Sequence, residues 1–549
     1  MVTLTESYLR DEDLIWLLTI TFAGQVWRLS STRVEVLTEA GESLAYLGGI
    51  DDIEYTDETD LFAEAPTLKS TSFDLAWPGD VAALVALGHD LSAATGELAL
   101  LRPGDLYEER AIRYTGYVSE PQHGEKGEPV ALTLVEDSFE DVAEVPSPDM
   151  VVSEDTWSQA ADSAEGLPYP IVFGQPGVFK KRSGLVWKTT GAPALYVDTQ
   201  TSPTSARYVL VAGHATECGR DGDFVQVYNE TFQEWATCQC SHAEDGLGRL
   251  VTLADISTLA GRVTDLDGDG AIDPWTDAHT YWTQWPNAGA MLCHDRVATV
   301  EGAGDLMAWM LAQASVRVDW GRVSVARDFL NRFKVSGYTD EVASPLRWLK
   351  DNLLPLIPVS LMASPDGIYP LVWRWDATAR DAVADLVEGP RLRRADAIRF
   401  EGRDSVVNDI TIKFALSNVL DEYKRRRTIT GDAKRVGDPD VLTNLHAQES
   451  QRRYGQRKAT IETDIVYDTQ TADLVLVWKS IAQGFARRVV TLTTGHAWGW
   501  LTPGDIVTYT DDGLYLDQQI GIVRSLTWTL SDLTLEVVLL EDPARDRRA

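Results

Sequence analysis

The sequence predicts a mainly β protein with some α+β character, built as several domains. Two related β-barrel-like modules stand at its two ends, joined by an α/β segment and an inserted β-rich middle domain. Three observations carry this. Alternating apolar residues between Gly, Pro and Asp turns fill both ends of the chain. The stretch LRPGDLYEERAIRYTGYVSEP (Leu101 to Pro121) is echoed by LTPGDIVTYTDDGLYLDQQIGIVRS (Leu501 to Ser525), and the copies lead into PVALTLVED and LTLEVVLLED. The chain's 549 residues also exceed the roughly 250–300 at which one core stops growing.

Residues 1–145 read as the first β module. Leu18, Ile20 and Phe22 alternate with threonines, a Gly24-Gln25 turn follows, and Trp27 and Leu29 lie on the return strand. A second hairpin runs from Ala111 to Val118 and back from Val130 to Val135. Residues 146–166, rich in Pro, Ser and acid, read as a linker, and 167–300 as the inserted domain. In the α/β segment, 301–400, Leu306, Trp309, Met310 and Ala314 fall at helical spacing. A second helix starts at Pro345, carries Leu346, Leu349 and Leu353, and stops at Pro355 or Pro358. The last module, 401–549, holds strand DITIKFA, a basic loop Lys424 to Arg427, and a helix with Leu474, Val477, Trp478, Ile481 and Phe485 on one face. It closes in a hairpin: Leu526, Trp528 and Leu530 go out, Ser531-Asp532 turn, and Leu533, Leu535 and Val537 return.

The echo pairs Thr95-Gly96 with Thr494-Gly495, Pro103-Gly104-Asp105 with Pro503-Gly504-Asp505, and Gly116 and Val118 with Gly521 and Val523. Pro-Gly-Asp fits a tight turn with Gly at positive φ, and the later glycine suits a bulge or a close backbone approach. Two such modules per chain have a geometric use. Three chains around an axis give a pseudo-six-fold ring, which can mate with a six-fold tube on one side and a three-fold object on the other.

A net charge of -35 argues against a nucleic-acid binder, which needs a basic face. It suits high salt or divalent cations, which screen self-repulsion. The N-terminus lacks the basic region of a secretory leader, and no apolar run reaches the ~20 residues of a membrane helix. Cys218, Cys238, Cys240 and Cys293 all lie in the middle region, as buried thiols or one local bridge. No metalloprotease, nucleophile-elbow, Walker or dinucleotide motif is present, so no catalytic residue is assigned. Trp498 and Trp500 are candidate interface anchors.

DLDGDGAIDPWTD is the sharpest local motif. Asp265, Asp267, Asp269, the Ala271 carbonyl and Asp273 fall at positions 1, 3, 5, 7 and 9 of a calcium loop, with Gly270 for the bend. Position 12 is Thr276, so Asp277 is the candidate for the closing carboxylate. A Ca²⁺ ion here would be structural, resembling EF-hand, dockerin-type and thrombospondin-type loops.

The text from ESQRRYGQRKATIETDIVYD through LTPGDIVTYT to LTLEVVLLED resembles the hub module of tailed-virus tail tips and baseplates. Ser450, Arg453, Tyr454, Gly455 and Pro503 to Asp505 match its motifs. The N-terminal module is similar to the partner hub domain, and SPLRWLKDNLLPLIPVSLMASPDGIYPLVW to the segment between them, while the middle region departs from the family. The resemblance implies a non-enzymatic structural protein made in the host cytoplasm and placed in the virion at the distal end of the tail. It implies a homotrimer that meets the distal tail protein and tail tube, encloses the end of the tape measure protein, carries a tail fibre or spike, and gates the passage of viral DNA without membrane insertion. Two rival readings use the middle region: a tail-tip hydrolase of envelope polymer, or a calcium-dependent host-surface binder.

Overall fold

The computed structural model describes residues 14–59, 70–75, 94–122, 130–135, 142–174 and 298–541 apart from a few short gaps, and between 175 and 297 little more than the strands. β1 (Ile15–Phe22) and β2 (Gln25–Ser30) make the first hairpin, with Gly24 at φ 76° in the turn and Thr21 facing Val26. β3 (Val34–Leu37), β4 (Ser43–Gly48), β5 (Ile50–Glu58), β6 (Ser70–Leu75), β7 (Thr95–Leu101), β8 (Ala111–Gln122) and β9 (Val130–Val135) complete the N-terminal module. The second expected hairpin is present: in β8 and β9, Val118 faces Leu134 and Tyr117 faces Val135.

The chain on either side of the middle region comes together. β10 (Ile171–Phe173) pairs with β22 (Gly337–Thr339), and the Gly174 N–H donates to the Val300 carbonyl at 2.6 Å. Entry and exit therefore meet. Between them lie β11 (Val178–Lys180), β12 (Val186–Lys188), β13 (Ala192–Pro193), β14 (Leu195–Thr199), β15 (Arg207–Ala212), β16 (Val225–Asn229), β17 (Glu234–Glu244), β18 (Leu250–Asp255), β19 (His279–Trp282), β20 (Cys293–His294) and β21 (Ala298–Thr299), seven of them in one antiparallel sheet of order β13-β19-β16-β17-β18-β15-β14.

After the insertion come helices α1 (Ala303–Gln313), α2 (Trp320–Leu330) and α3 (Pro345–Trp348). Leu306 and Met310 are buried on α1 together with Met307 and Leu311, and Trp309 is half-buried. α3 has Pro345 at its start and Ser344 accepting from the Arg347 N–H; it widens over Leu349–Leu353 and ends before Pro355. β23 (Val359–Ser364) and β24 (Gly367–Val372) form a hairpin, and short strands β25 (Ala384–Val387), β26 (Leu392–Arg394) and β27 (Arg399–Glu401) follow.

A four-stranded sheet of order β30-β29-β28-β31 then forms from β28 (Asp409–Ser417), β29 (Glu422–Ile429), β30 (Val441–Leu442) and β31 (Lys458–Glu462), with α4 (Leu445–Tyr454) before β31 and α5 (Thr469–Ala482) after it. The basic run Lys424 to Arg427 is not a loop but lies within β29. Its alternation explains this: Lys424 and Arg426 are exposed while Arg425 and Arg427 are half-buried, and Arg427 makes two bonds to Asp473 of α5 at 2.8 and 2.9 Å. The expected stripe of α5 also shifts. Ala472, Val475, Leu476 and Trp478 are buried, whereas Leu474, Val477 and Ile481 are half-buried, because the helix is covered on two sides.

The chain ends in β32 (Arg487–Thr494), β33 (Ile506–Asp511), β34 (Leu516–Trp528) and β35 (Leu533–Leu539). Here the two ends of the sequence meet. β34 pairs with β5, placing Trp528 opposite Tyr55 and Ser525 opposite Glu58, so one sheet runs β26-β32-β35-β34-β5-β6-β9-β8-β7-β1-β2-β4-β3, with β27 also on β32, β33 on β34 and β25 on β33.

Two cores result. The sheet body buries Trp16, Leu18 and Ile20 with Trp528, Leu533 and Leu535; the helical body buries α1, α3, β28 and α5 around Leu306, Leu349, Phe414 and Leu476. Trp16 and Trp528 meet edge to face, ring centres 5.8 Å apart, across the seam between the modules. Among the described residues no helix is long and apolar enough to cross a membrane.

Candidate functional site

The duplicated turn is duplicated in geometry. Gly104 and Gly504 stand at φ 94° and 95°, and the N–H of Asp105 and of Asp505 donates back to Arg102 (3.2 Å) and Thr502 (3.0 Å). Each is a turn with Pro second and Gly third, the place where φ > 0 is required. The later glycines match as well. A Cβ on Gly116 would lie 2.3 Å from the Val135 carbonyl oxygen, and one on Gly521 would lie 2.5 Å from Val537 Cγ1. Both sit where the long middle strand approaches its neighbour, and both strands slip register further on, at Ser119/Gln122 and Val523/Ser525.

The copies differ around the turn. In the first, β7 runs into the turn and pairs with β8; in the second, β32 stops at Thr494, and the strand after the turn, β33, pairs with β34. His496 then takes the place that Glu97 holds in the first copy. Glu97 pairs with Arg110 at 2.8 Å, while His496 stacks on Trp528 with ring centres 5.4 Å apart and its Nε2 3.2 Å from the Thr529 carbonyl. Burial pushes the His496 pKa below its ordinary value. Trp498 and Trp500 pack half-buried against the shared core.

The Ser-x-x-Arg-Tyr-Gly run forms the joint between the two bodies. Buried Ser450 accepts from Asn408 Nδ2 at 2.9 Å and donates to the Gly484 carbonyl; the same Nδ2 reaches the Gly455 carbonyl at 2.9 Å. Gly455, at φ 72°, ends α4. Arg453 pairs with Glu449 at 2.8 Å and with Glu541 at 3.3 Å, and Glu541 pairs with Arg488 of β32 at 2.8 Å. This chain of charges links the helical body to the sheet. Arg452 and Arg453 hold the Glu449 carboxyl down to about 2. Phe485, under the Arg453 guanidinium at 5.4 Å and edge-on to Tyr454, anchors the crossing, and a small apolar cleft between Trp373, Trp478, Phe485, Ile522 and Leu540 lies beside it.

A second polar cluster supports the hairpin tip after β33. Fully buried Asp511 accepts from the Tyr509 hydroxyl at 3.0 Å and the Leu514 N–H at 3.2 Å, with Arg394 at 3.6 Å. A hydrogen bond to Asp511 raises the pKa of Glu388. Sequence reasoning gave no role to Asn408, Glu541 or Asp511, although the last two lie within the echoed segments; only the fold brings Ser450 to Asn408, Arg453 and Arg488 to Glu541, and Arg394 to Asp511.

Asp265, Asp267, Asp269, Ala271, Asp273 and Asp277 lie outside the described residues, as does Cys218. Cys238 and Cys240 fall in β17 and Cys293 in β20. Among the described residues no cluster of three or more His, Cys, Asp or Glu is placed to hold a metal.

No protein-family profile and no curated protein matches the sequence. Among solved structures, the chain is similar to the tail protein from Neisseria meningitidis MC58 (11% identity, TM-score 0.36), over 96% of this chain and 97% of that one. It is similar to the 43 kDa tail protein of prophage MuSo2 from Shewanella oneidensis (9%, TM-score 0.33; 96% and 99% covered). A chain in the virion of a native gene transfer agent particle also aligns (10%, TM-score 0.38; 70% and 87% covered).

Proposed function

We propose that this chain is a structural virion protein, the trimeric hub of a tail tip or baseplate, and that it does no catalysis. The observation that carries the reading is the repeated module. Two Pro-Gly-Asp turns of matching geometry sit in one sheet around one core, so each chain presents two related β units in a fixed relation. Three such chains present six. That arrangement adapts a six-fold tube to a three-fold tip.

In this reading the sheet body faces the tail tube and the distal tail protein. The hub encloses the end of the tape measure protein, and the opposite side carries the fibre or spike. A chain of net charge -35 lines a channel that repels phosphate, through which DNA slides during ejection. The Asp265 to Asp277 loop holds a structural Ca²⁺ in the inserted domain.

The test is the solution mass by light scattering at low and high salt, with calcium and then with chelator. A three-chain mass supports the hub. A single-chain mass in every buffer overturns it, and a trimer lost on chelation places the calcium loop in assembly.

A further inference from the structure

Among the strand edges left open in the described residues, those of β29 and β3 carry opposite charge. β29 has a strand on its outer edge only at Thr428 and Ile429, where β30 pairs; among the described residues none lies beside Glu422 to Arg427. The amides of Thr428 and Thr430 donate outward, to Asp440 and Leu442, so by strand alternation those of Lys424 and Arg426 face the same edge. The side chains of Lys424 and Arg426 are exposed, and among the described residues Lys424 pairs with Glu422 of its own strand. Beside this edge a groove runs between β29 and α5, floored by Phe414, Leu442, Leu474 and Val477.

The setting is unusual for so acidic a chain. Residues 403–458 hold 12 Lys and Arg against 8 Asp and Glu, although the whole chain has 49 against 84. A second open edge is β3, the last strand of the long sheet, which among the described residues pairs with β4 alone. Its exposed face carries Glu35 and Leu37, the latter 53% exposed, and the turn beside it carries exposed Glu39 and Glu42.

We infer that β29 of one copy pairs edge to edge with β3 of a second copy, and that this strand addition is the contact between protomers. It rests on the hub reading and assigns the surface through which that trimer forms. Open edges seek partners, and charge on an edge decides which ones. Two β29 edges repel, as do two β3 edges, whereas Lys424 and Arg426 attract Glu35, Glu39 and Glu42. The pairing is therefore between unlike surfaces, which propagates head to tail and closes into a ring when the rotation allows.

The test uses the full chain and sedimentation at low and high salt. K424E/R426E is expected to weaken self-association by at least about tenfold, as is E35K/E42K, with far-UV circular dichroism unchanged for both. In an equimolar mixture unlike copies meet with opposite charge at both edges, so self-association is expected to return, whereas each variant alone stays weakened. If both variants assemble as the wild type does, the edge pairing is overturned while the trimeric hub stands. A wild-type chain that stays monomeric overturns both.

Discussion

The two copies of the Pro-Gly-Asp module share a turn and differ in everything the turn is packed against. At Gly104 a Cβ would meet nothing within 4 Å, while at Gly504, of nearly the same φ, it would strike Leu371 Cδ1 at 2.4 Å. The order reverses at the later glycines: Gly116 is pressed against backbone, Gly521 against the buried side chain of Val537. A repeated sequence thus repeats its local conformation, and each copy's surroundings set how much a change costs.

The largest expected effect tests whether the copies are independent at all. Trp528→Ala removes the ring that meets Trp16 across the seam, at about 3–5 kcal/mol, and both modules are expected to lose stability together. Hydrogen exchange followed strand by strand checks this. Loss of protection confined to β32–β35 would mean two separate cores.

Next are the strand glycines. Gly116→Ala forces the Val135 backbone aside and is expected to cost about 3 kcal/mol, against about 2 kcal/mol for Gly521→Ala, where the stiff, buried Val537 must give. Denaturant midpoints of the two variants decide it, and equal midpoints would show that β8 and β34 are equally able to yield. The turn glycines should rank the other way: about 1 kcal/mol for Gly104→Ala from the left-handed conformation alone, and about 2 kcal/mol for Gly504→Ala, where Leu371 adds crowding.

The smallest effect is a pH dependence found only in the second copy. Burial depresses the His496 pKa, so the unfolded chain takes up the proton first. The contribution of neutral His496 is complete above the ordinary value of about 6.5 and is lost as pH falls below it. Thermal midpoints measured downward from about pH 7.5 should fall through this window in the wild type and less in His496→Gln. The same slope in both would remove His496 from the account.

Much of this was legible in the sequence because it is local. Glycine is required where φ is positive, Pro345 and Pro355 bracket a helix, and alternation marks β34 and β35; these depend on a few neighbouring residues. The Lys424 to Arg427 run misled because four consecutive cations satisfy no strand pattern, yet their long stems lie on a sheet and Arg427 finds Asp473. Asn408 and Glu541 gave no signal, since each acts through partners distant in sequence: Asn408 with Ser450, and Glu541 with Arg453.

By itself, then, the sequence determined the β-rich class, the two matching turns and the ends of several helices, all consequences of backbone sterics and short-range periodicity. Only the tertiary structure decided that the first and last modules share one sheet and one core, that Arg453, Glu541 and Arg488 tie that sheet to the helical body, and which strand edges stay open. The reason is that strand pairing joins backbones with no sequence-specific code. β5 and β34, hundreds of residues apart, are matched by the apolar surface they bury together and not by any motif either one carries.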